Sequence, residues 1–199
     1  MDLKRLRQET ALEHRAVEDA LPLMHKDLKL EQYTACLQKI HGFVSAWEQS
    51  SRSSAPAWML EFLLVRSRLN LLEQDLRWFR VRVPQDCSVK LPIFSNVASL
   101  FGGMYVMEGS TLGGQVIARH VETVLHLEKG RGNCYFLGHG EQTGSMWQEF
   151  CLMLKATIPN ENTELVVDSA KRMFVAYGEW MAQPSASPAE SNFRLPDRS

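Results

Sequence analysis

The residues best placed for chemistry lie near the N-terminus, where Arg7, His14 and Glu18 recur at spacings of seven and four. At about 100° per residue, helical geometry puts the three on nearly one face, with His14 close in azimuth to Leu3, Thr10 and Leu21. An imidazole so placed can ligate a metal through one nitrogen while its other N–H meets an acceptor that fixes tautomer and ring orientation. Glu18, one turn on, can be that acceptor. Arg7, two turns back, can reach an anionic group on the edge of a bound ligand. The same spacing also suits a hydrogen-bonded core histidine, and the residues alone leave both readings open. His25, His41, His120, His126 and His139 have no better spacing.

The second such stretch is FGGMYVMEGSTLGGQVIARH, residues 101 to 120. Gly102, Gly103, Gly109, Gly113 and Gly114 interrupt a pattern otherwise suited to helix, where each glycine costs about 1 kcal/mol relative to alanine. Gly109 and Gly113 share a face, and bare backbone there can approach a flat body and let the helix kink over it. Close packing of two helices through small residues is the alternative. A phosphate loop fits poorly: no GKS or GKT follows.

The elements that must carry these residues read as helices throughout. Apolar residues recur with helical period over Asp2–Ala20, Glu31–Gln49, Pro56–Phe79 and Phe94–Leu127, then near Ser145–Ala156 and Thr163–Ala182. Pro56 is expected in the first turn of its helix. Val81–Pro92 reads as a connection, and five glycines from Gly130 to Gly144 as a long irregular loop. No stretch alternates with period two, so an all-α, single-domain fold over residues 1–182 is expected, with 183–199 a flexible tail rich in proline and serine.

The chain has 199 residues, 45% hydrophobic and 23% charged, with a net charge of -1. Such a chain can bury one core, and its charge gives no reason to expect nucleic acid or an anionic membrane as partner. Cys36, Cys87, Cys134 and Cys151 form no CxxC or Cys/His cluster, so neither zinc nor a disulfide framework is expected. The N-terminus lacks an apolar run, and a cytoplasmic location is the expectation.

TALEHRAVE around His14 and YVMEGSTLGGQVI from Tyr105 to Ile117 together resemble the haem oxygenase family. LLEQDLRWF, from Leu71 to Phe79, and AKRMF, from Ala170 to Phe174, are similar to its middle and last core helices, so the resemblance spans about residues 3–182. EGSTLGGQ is similar to the bacterial branch, particularly the oxygenases associated with bacteriophytochromes. The resemblance implies a helical bundle holding haem between a proximal helix, whose His14 ligates the iron, and a kinked distal helix carrying Gly109, Ser110 and Gly113. It implies that haem is both cofactor and substrate, opened with O2 and electrons to biliverdin, Fe2+ and CO. Glu18 would support His14. Arg7, Tyr105 and Tyr177 would meet the propionates, and Phe174 would form a pocket wall. Many family members carry an aspartate directly after the first distal glycine. This chain has Ser110, which can donate and accept but carries no charge.

No flavin or nicotinamide fingerprint is visible, so the resemblance implies an external donor of ferredoxin or flavodoxin type with its reductase. Arg66, Arg68, Arg77, Arg80 and Arg82 concentrate positive charge that could dock an acidic donor; the alternative is an ordinary solvated helix face. A haem carrier or sensor without turnover would use the same site. A thiamin-degrading enzyme of the same fold would leave His14 and the distal glycines unexplained.

Overall fold

The computed structural model describes residues 1–84 and 88–184. Cys87 and all of the expected tail beyond Pro184 lie outside the described residues. Nine α-helices and no strand are present among them: α1 (Leu3–Glu9), α2 (Ala11–Ala20), α3 (Leu30–Ser54), α4 (Ala57–Leu64), α5 (Leu69–Trp78), α6 (Val97–Val124), α7 (Cys134–Leu137), α8 (Thr143–Thr157) and α9 (Thr163–Ala182). No described helix is long and apolar enough to cross a membrane.

Two expected helices are each divided. The N-terminal one breaks at Thr10, which lies at φ -100° and ψ 2°. Its buried hydroxyl donates back to the Leu6 carbonyl at 2.8 Å, a bond that competes with regular helix geometry. The helix expected over Pro56–Phe79 is α4 and α5, with a tight turn between them. Pro56 is the extended N-cap of α4 rather than a residue of its first turn. Glu48 of α3 fixes the turn. Its carboxylate accepts the Arg68 and Leu69 backbone N–H groups at 2.9 and 3.1 Å and the Ser67 hydroxyl at 2.6 Å. A buried acceptor at a helix N-terminus satisfies donors that the helix itself cannot.

The glycine-bearing segment is one 28-residue helix, α6, started by a reciprocal cap in which Asn96 Oδ1 accepts from Ser99 N at 2.9 Å. The expected irregular loop after it contains α7. Asp75 of α5 accepts the Cys134 and Tyr135 N–H groups at 2.8 and 2.9 Å, pinning the start of α7. Tyr33 of α3 donates to the Gly132 carbonyl at 2.8 Å and pins the approach to it.

The core is built around α9. Along α6, Val166, Ala170 and Met173 are fully buried against Leu100, Phe101 and Met104. The two backbones meet at Gly102, where an added Cβ would lie 2.5 Å from the Val166 carbonyl oxygen and 2.7 Å from Ser169 Cβ. Ser169 closes the crossing by donating to the Ser99 carbonyl at 2.7 Å. On its other side α9 receives α2, where Val17 Cγ2 lies 3.7 Å from where Gly178 would carry a Cβ. Both α2 and α6 pack on α9, but they hardly touch each other.

Gly102→Ala should therefore destabilise the fold by about 1–3 kcal/mol, as overpacking does. Gly113→Ala on the same helix, where no atom lies within 4 Å of the added carbon, should instead stabilise it by up to about 1 kcal/mol. Denaturant melts of the two variants check this, and equal shifts of one sign would contradict the packing assignment.

Candidate functional site

Both α2 and α6 pack on α9. On the α2 side, His14 does not point into the core as its azimuth suggested; its side chain is 54% exposed. The ring stands edge-on to Phe174 of α9, with centroids 5.4 Å apart and planes at 87°. Its Nδ1 faces Glu18 Oε2 at 3.5 Å, which leaves Nε2 as the nitrogen for a ligand. Phe174 packs against the imidazole, and Glu18 stands where it could accept from Nδ1, as a ligating histidine requires.

The five glycines of α6 separate into two kinds. Gly102, Gly103 and Gly114 are packing positions. A Cβ on Gly103 would meet Trp47 and Phe94 at 2.6 and 2.7 Å, and one on Gly114 would meet the Phe136 carbonyl oxygen at 2.9 Å. Gly109 and Gly113 press on nothing so close. The nearest atoms to a Cβ on Gly109 are those of the Trp147 ring at 3.8 Å, and Gly113 faces open space. Packing therefore explains three of the glycines and leaves two bare positions, four residues apart on one face.

Tyr105, one turn before Gly109, stacks obliquely on Trp147 with centroids 5.8 Å apart. Burial pushes its phenol up, while the Thr10 hydroxyl and the Arg7 guanidinium hold it down. Arg7, Thr10 and Tyr105 consequently lie together where α1 and α2 approach α6. Tyr177 is not part of that group. It packs on Phe43 at 4.7 Å. Its phenol is pushed well above the usual range by burial, with Tyr135 and Cys36 adding to the effect and Arg68 opposing it. Its ring is half-buried, on the α3 side.

The expected basic patch also divides. Arg66 and Arg68 are buried, at 6% and 5% exposure, so they offer no charge to a docking partner. Arg77, Arg80 and Arg82 are exposed. Arg66 Nη2 bonds Glu149 at 2.6 Å and its Nε faces Glu108 at 3.5 Å. Arg68 Nη2 donates to the Met107 carbonyl at 2.8 Å and to Ser110 Oγ at 2.9 Å. Arg68, Glu108 and Trp147 are site neighbours that sequence spacing did not single out. Glu108 had a signal, a carboxylate within an apolar helical pattern directly before Gly109.

A protein-family model described as "Heme oxygenase" matches residues 2–183. No curated protein matches by sequence. Among solved structures, the NO- and CO-bound haem oxygenase from Neisseria meningitidis is similar at 20% identity and TM-score 0.71, covering 89% of this chain and 88% of that one. Haem oxygenase from Leptospira interrogans is 19% identical with TM-score 0.72, over 88% of this chain and 96% of that one. Haem oxygenase 2 from Chlamydomonas reinhardtii, solved without haem, is 16% identical with TM-score 0.70, over 92% and 98%.

Glu108 yields a pH test of the site's electrostatics. Burial pushes its carboxyl up to about 7, against the opposing charges of Arg68 and Arg66. The folded chain then holds a proton that the unfolded chain has released, so stability falls as pH rises through the window from about 4.5 to about 7. Glu108→Gln should flatten this part of the pH–stability curve, measured by denaturant melts across that window. Parallel curves for parent and variant would contradict the assignment.

Proposed function

The chain belongs to the haem oxygenase family, and we propose that it holds haem between His14 of α2 and the Gly109–Gly113 face of α6 and opens it to biliverdin, Fe2+ and CO. The observation that carries this reading is the placing of α2 and α6 on α9. Two helices share α9 as a packing partner without packing on each other. One presents a restrained imidazole and the other presents two bare glycines. A flat macrocycle with one axial histidine fits that pair of walls.

Haem is the substrate, and its iron supplies the activation of O2. The chain's own groups bind and orient. His14 Nε2 would hold the haem iron, with Glu18 at Nδ1 setting the tautomer and Phe174 limiting ring rotation. A neutral histidine lacks the electron push of a thiolate and so favours O–O cleavage less. Gly109 and Gly113 place backbone where a side chain would exclude a second ligand lying along the macrocycle. The Ser110 hydroxyl offers hydrogen bonding beside them. Arg7 and Tyr105, which converge at one edge, take the propionates and so set the in-plane orientation of the ring. Tyr177 serves as an interior wall.

Electrons come from an external ferredoxin- or flavodoxin-type donor. Its acidic face would meet Arg77, Arg80 and Arg82, the exposed remainder of the basic run. The EGSTLGGQ stretch supports the bacterial branch and, with it, biliverdin supplied to a bacteriophytochrome alongside the freed iron.

Adding ascorbate in air to the ferric haem complex tests the function. The Soret band should decay as the long-wavelength absorption of biliverdin grows; a persistent Soret band would identify a carrier or sensor instead. His14→Ala should lose the histidine-ligated ferric spectrum and most turnover, and added imidazole should restore both. An unchanged spectrum would assign the ligand to another histidine. Gly113→Leu should fold, gaining up to about 1 kcal/mol from helix propensity. It should bind haem through His14 and fail to open it. A destabilised but fully active Gly113→Leu would reject the assignment of this face to the haem.

A further inference from the structure

Behind the Gly109–Gly113 face lies a polar cluster that the reading above does not use. The turn between α4 and α5 sends Arg66 and Arg68 inward together. Arg66 Nη2 bonds Glu149 there and its Nε faces Glu108. Arg68 is treated differently. Its guanidinium donates to two uncharged acceptors on α6, the Met107 carbonyl and Ser110 Oγ, and lies over the Tyr135 ring, 4.7 Å from its centre. Glu48 accepts the backbone N–H of Arg68, not its side chain. Among the described residues no carboxylate accepts a hydrogen bond from this guanidinium, although Glu108 feels its charge; a buried cation held beside Ser110 is placed to serve an anionic or oxygen-bearing group on that face.

The hydroxyl of Ser110 is fixed by the same contacts. It donates to the Met107 carbonyl at 2.7 Å and accepts from Arg68 Nη2 at 2.9 Å. A serine hydroxyl has one proton and two lone pairs, so a single acceptor position remains. Ser110 can therefore receive a hydrogen bond from a water or ligand at the exposed surface of α6, but it cannot give one without breaking its bond to Met107. Close by, two buried atoms have no partner among the described residues, His139 Nε2 and Thr143 Oγ1. Thr143 Oγ1 and Thr111 Cβ lie 3.7 and 3.9 Å from where a Cβ on Gly138 would stand, which places this pair over the turn of α6 that follows Ser110. The Arg68 and Arg66 charges reach the His139 ring and, together with burial, hold its basicity down. Buried polar atoms without protein partners are where ordered water completes a network.

We propose that Arg68 is a positioning residue for the oxygen-activating face of α6: it locks the Ser110 hydroxyl and supplies the positive charge that stabilises developing negative charge beside Gly109. The cation reaches this place from the α4–α5 turn, in a chain whose residue after Gly109 carries no charge of its own. The inference rests on the proposed function, because it assumes haem bound at that face.

Arg68→Met, Arg68→Lys and Ser110→Ala, each as the ferric haem complex, test it. Two readings are taken: the pH midpoint of the acid–alkaline spectral transition, and ascorbate-driven ring opening. Loss of the cation in Arg68→Met should raise the midpoint by about one unit and slow ring opening at least about 10-fold, with the histidine-ligated Soret band retained. Arg68→Lys should recover the midpoint but not the rate, since an ammonium cannot reproduce the guanidinium's fixed donor geometry. Ser110→Ala leaves the buried charge in place and alters an exposed side chain, so it should fold; it should keep the parental midpoint and lose rate. A folded Arg68→Met complex with parental midpoint and rate overturns the proposal. If Arg68→Met does not fold, a parental rate in Ser110→Ala overturns it. A parent complex that binds haem and never opens it would defeat the proposed function, and the midpoint comparison would still decide whether Arg68 acts on this face.

Discussion

How closely α6 approaches α9 sets the rest of the structure. The two helices meet at Gly102, where the Val166 carbonyl occupies the space that any side chain would need. Because the contact is backbone to backbone, the crossing leaves α6 little freedom to slide or rotate on α9. The Ser169 to Ser99 hydrogen bond holds it from the side. Farther along α9, Gly178 admits α2 against Val17. The placing of α2 and α6 relative to each other is thus set by a third helix, at the positions where α6 and α9 carry glycine.

The same economy runs through α6. Three of its glycines lie under neighbouring atoms and two do not. Each glycine weakens the helix, so the segment depends on tertiary contacts for its continuity. Those contacts come from both sides. The carbonyl of Phe136 at the end of α7 rests over Gly114, and α7 is itself held by the buried Asp75. Burial pushes that carboxyl up to about 6 even as it accepts two N–H groups, which marks how far from water this anchor lies.

Helix content and the order of elements were legible from hydrophobic period, and α9 was expected with the bounds observed. The breaks were not. Thr10 turns the N-terminal helix through a local hydroxyl-to-carbonyl bond, and threonine at that position is equally compatible with an unbroken helix. The division between α4 and α5 depends on Glu48, a carboxylate twenty residues before the backbone that it caps. Composition likewise hid the difference between the two halves of the basic run. Arg66 and Arg68 are buried because carboxylates and carbonyls from α6 and α8 meet them, and those partners are remote in sequence. Tyr105 and Tyr177 look alike as helix-face aromatics, yet one lies near Arg7 and the other packs on Phe43. The pair Gly109 and Gly113 was distinguishable by spacing alone; that the other three glycines serve packing required the neighbouring helices.

The central claim, that α2 and α6 are the two walls of a haem site, is tested most directly by a crystal structure of the ferric haem complex. The account predicts iron bonded to His14 Nε2, with the backbone of Gly109 and Gly113 facing the opposite side of the macrocycle and the propionates directed to Arg7 and Tyr105. Iron bonded to any other histidine, or haem lodged away from these two helices in the apolar groove bordered by Trp58 and Leu165, would contradict it.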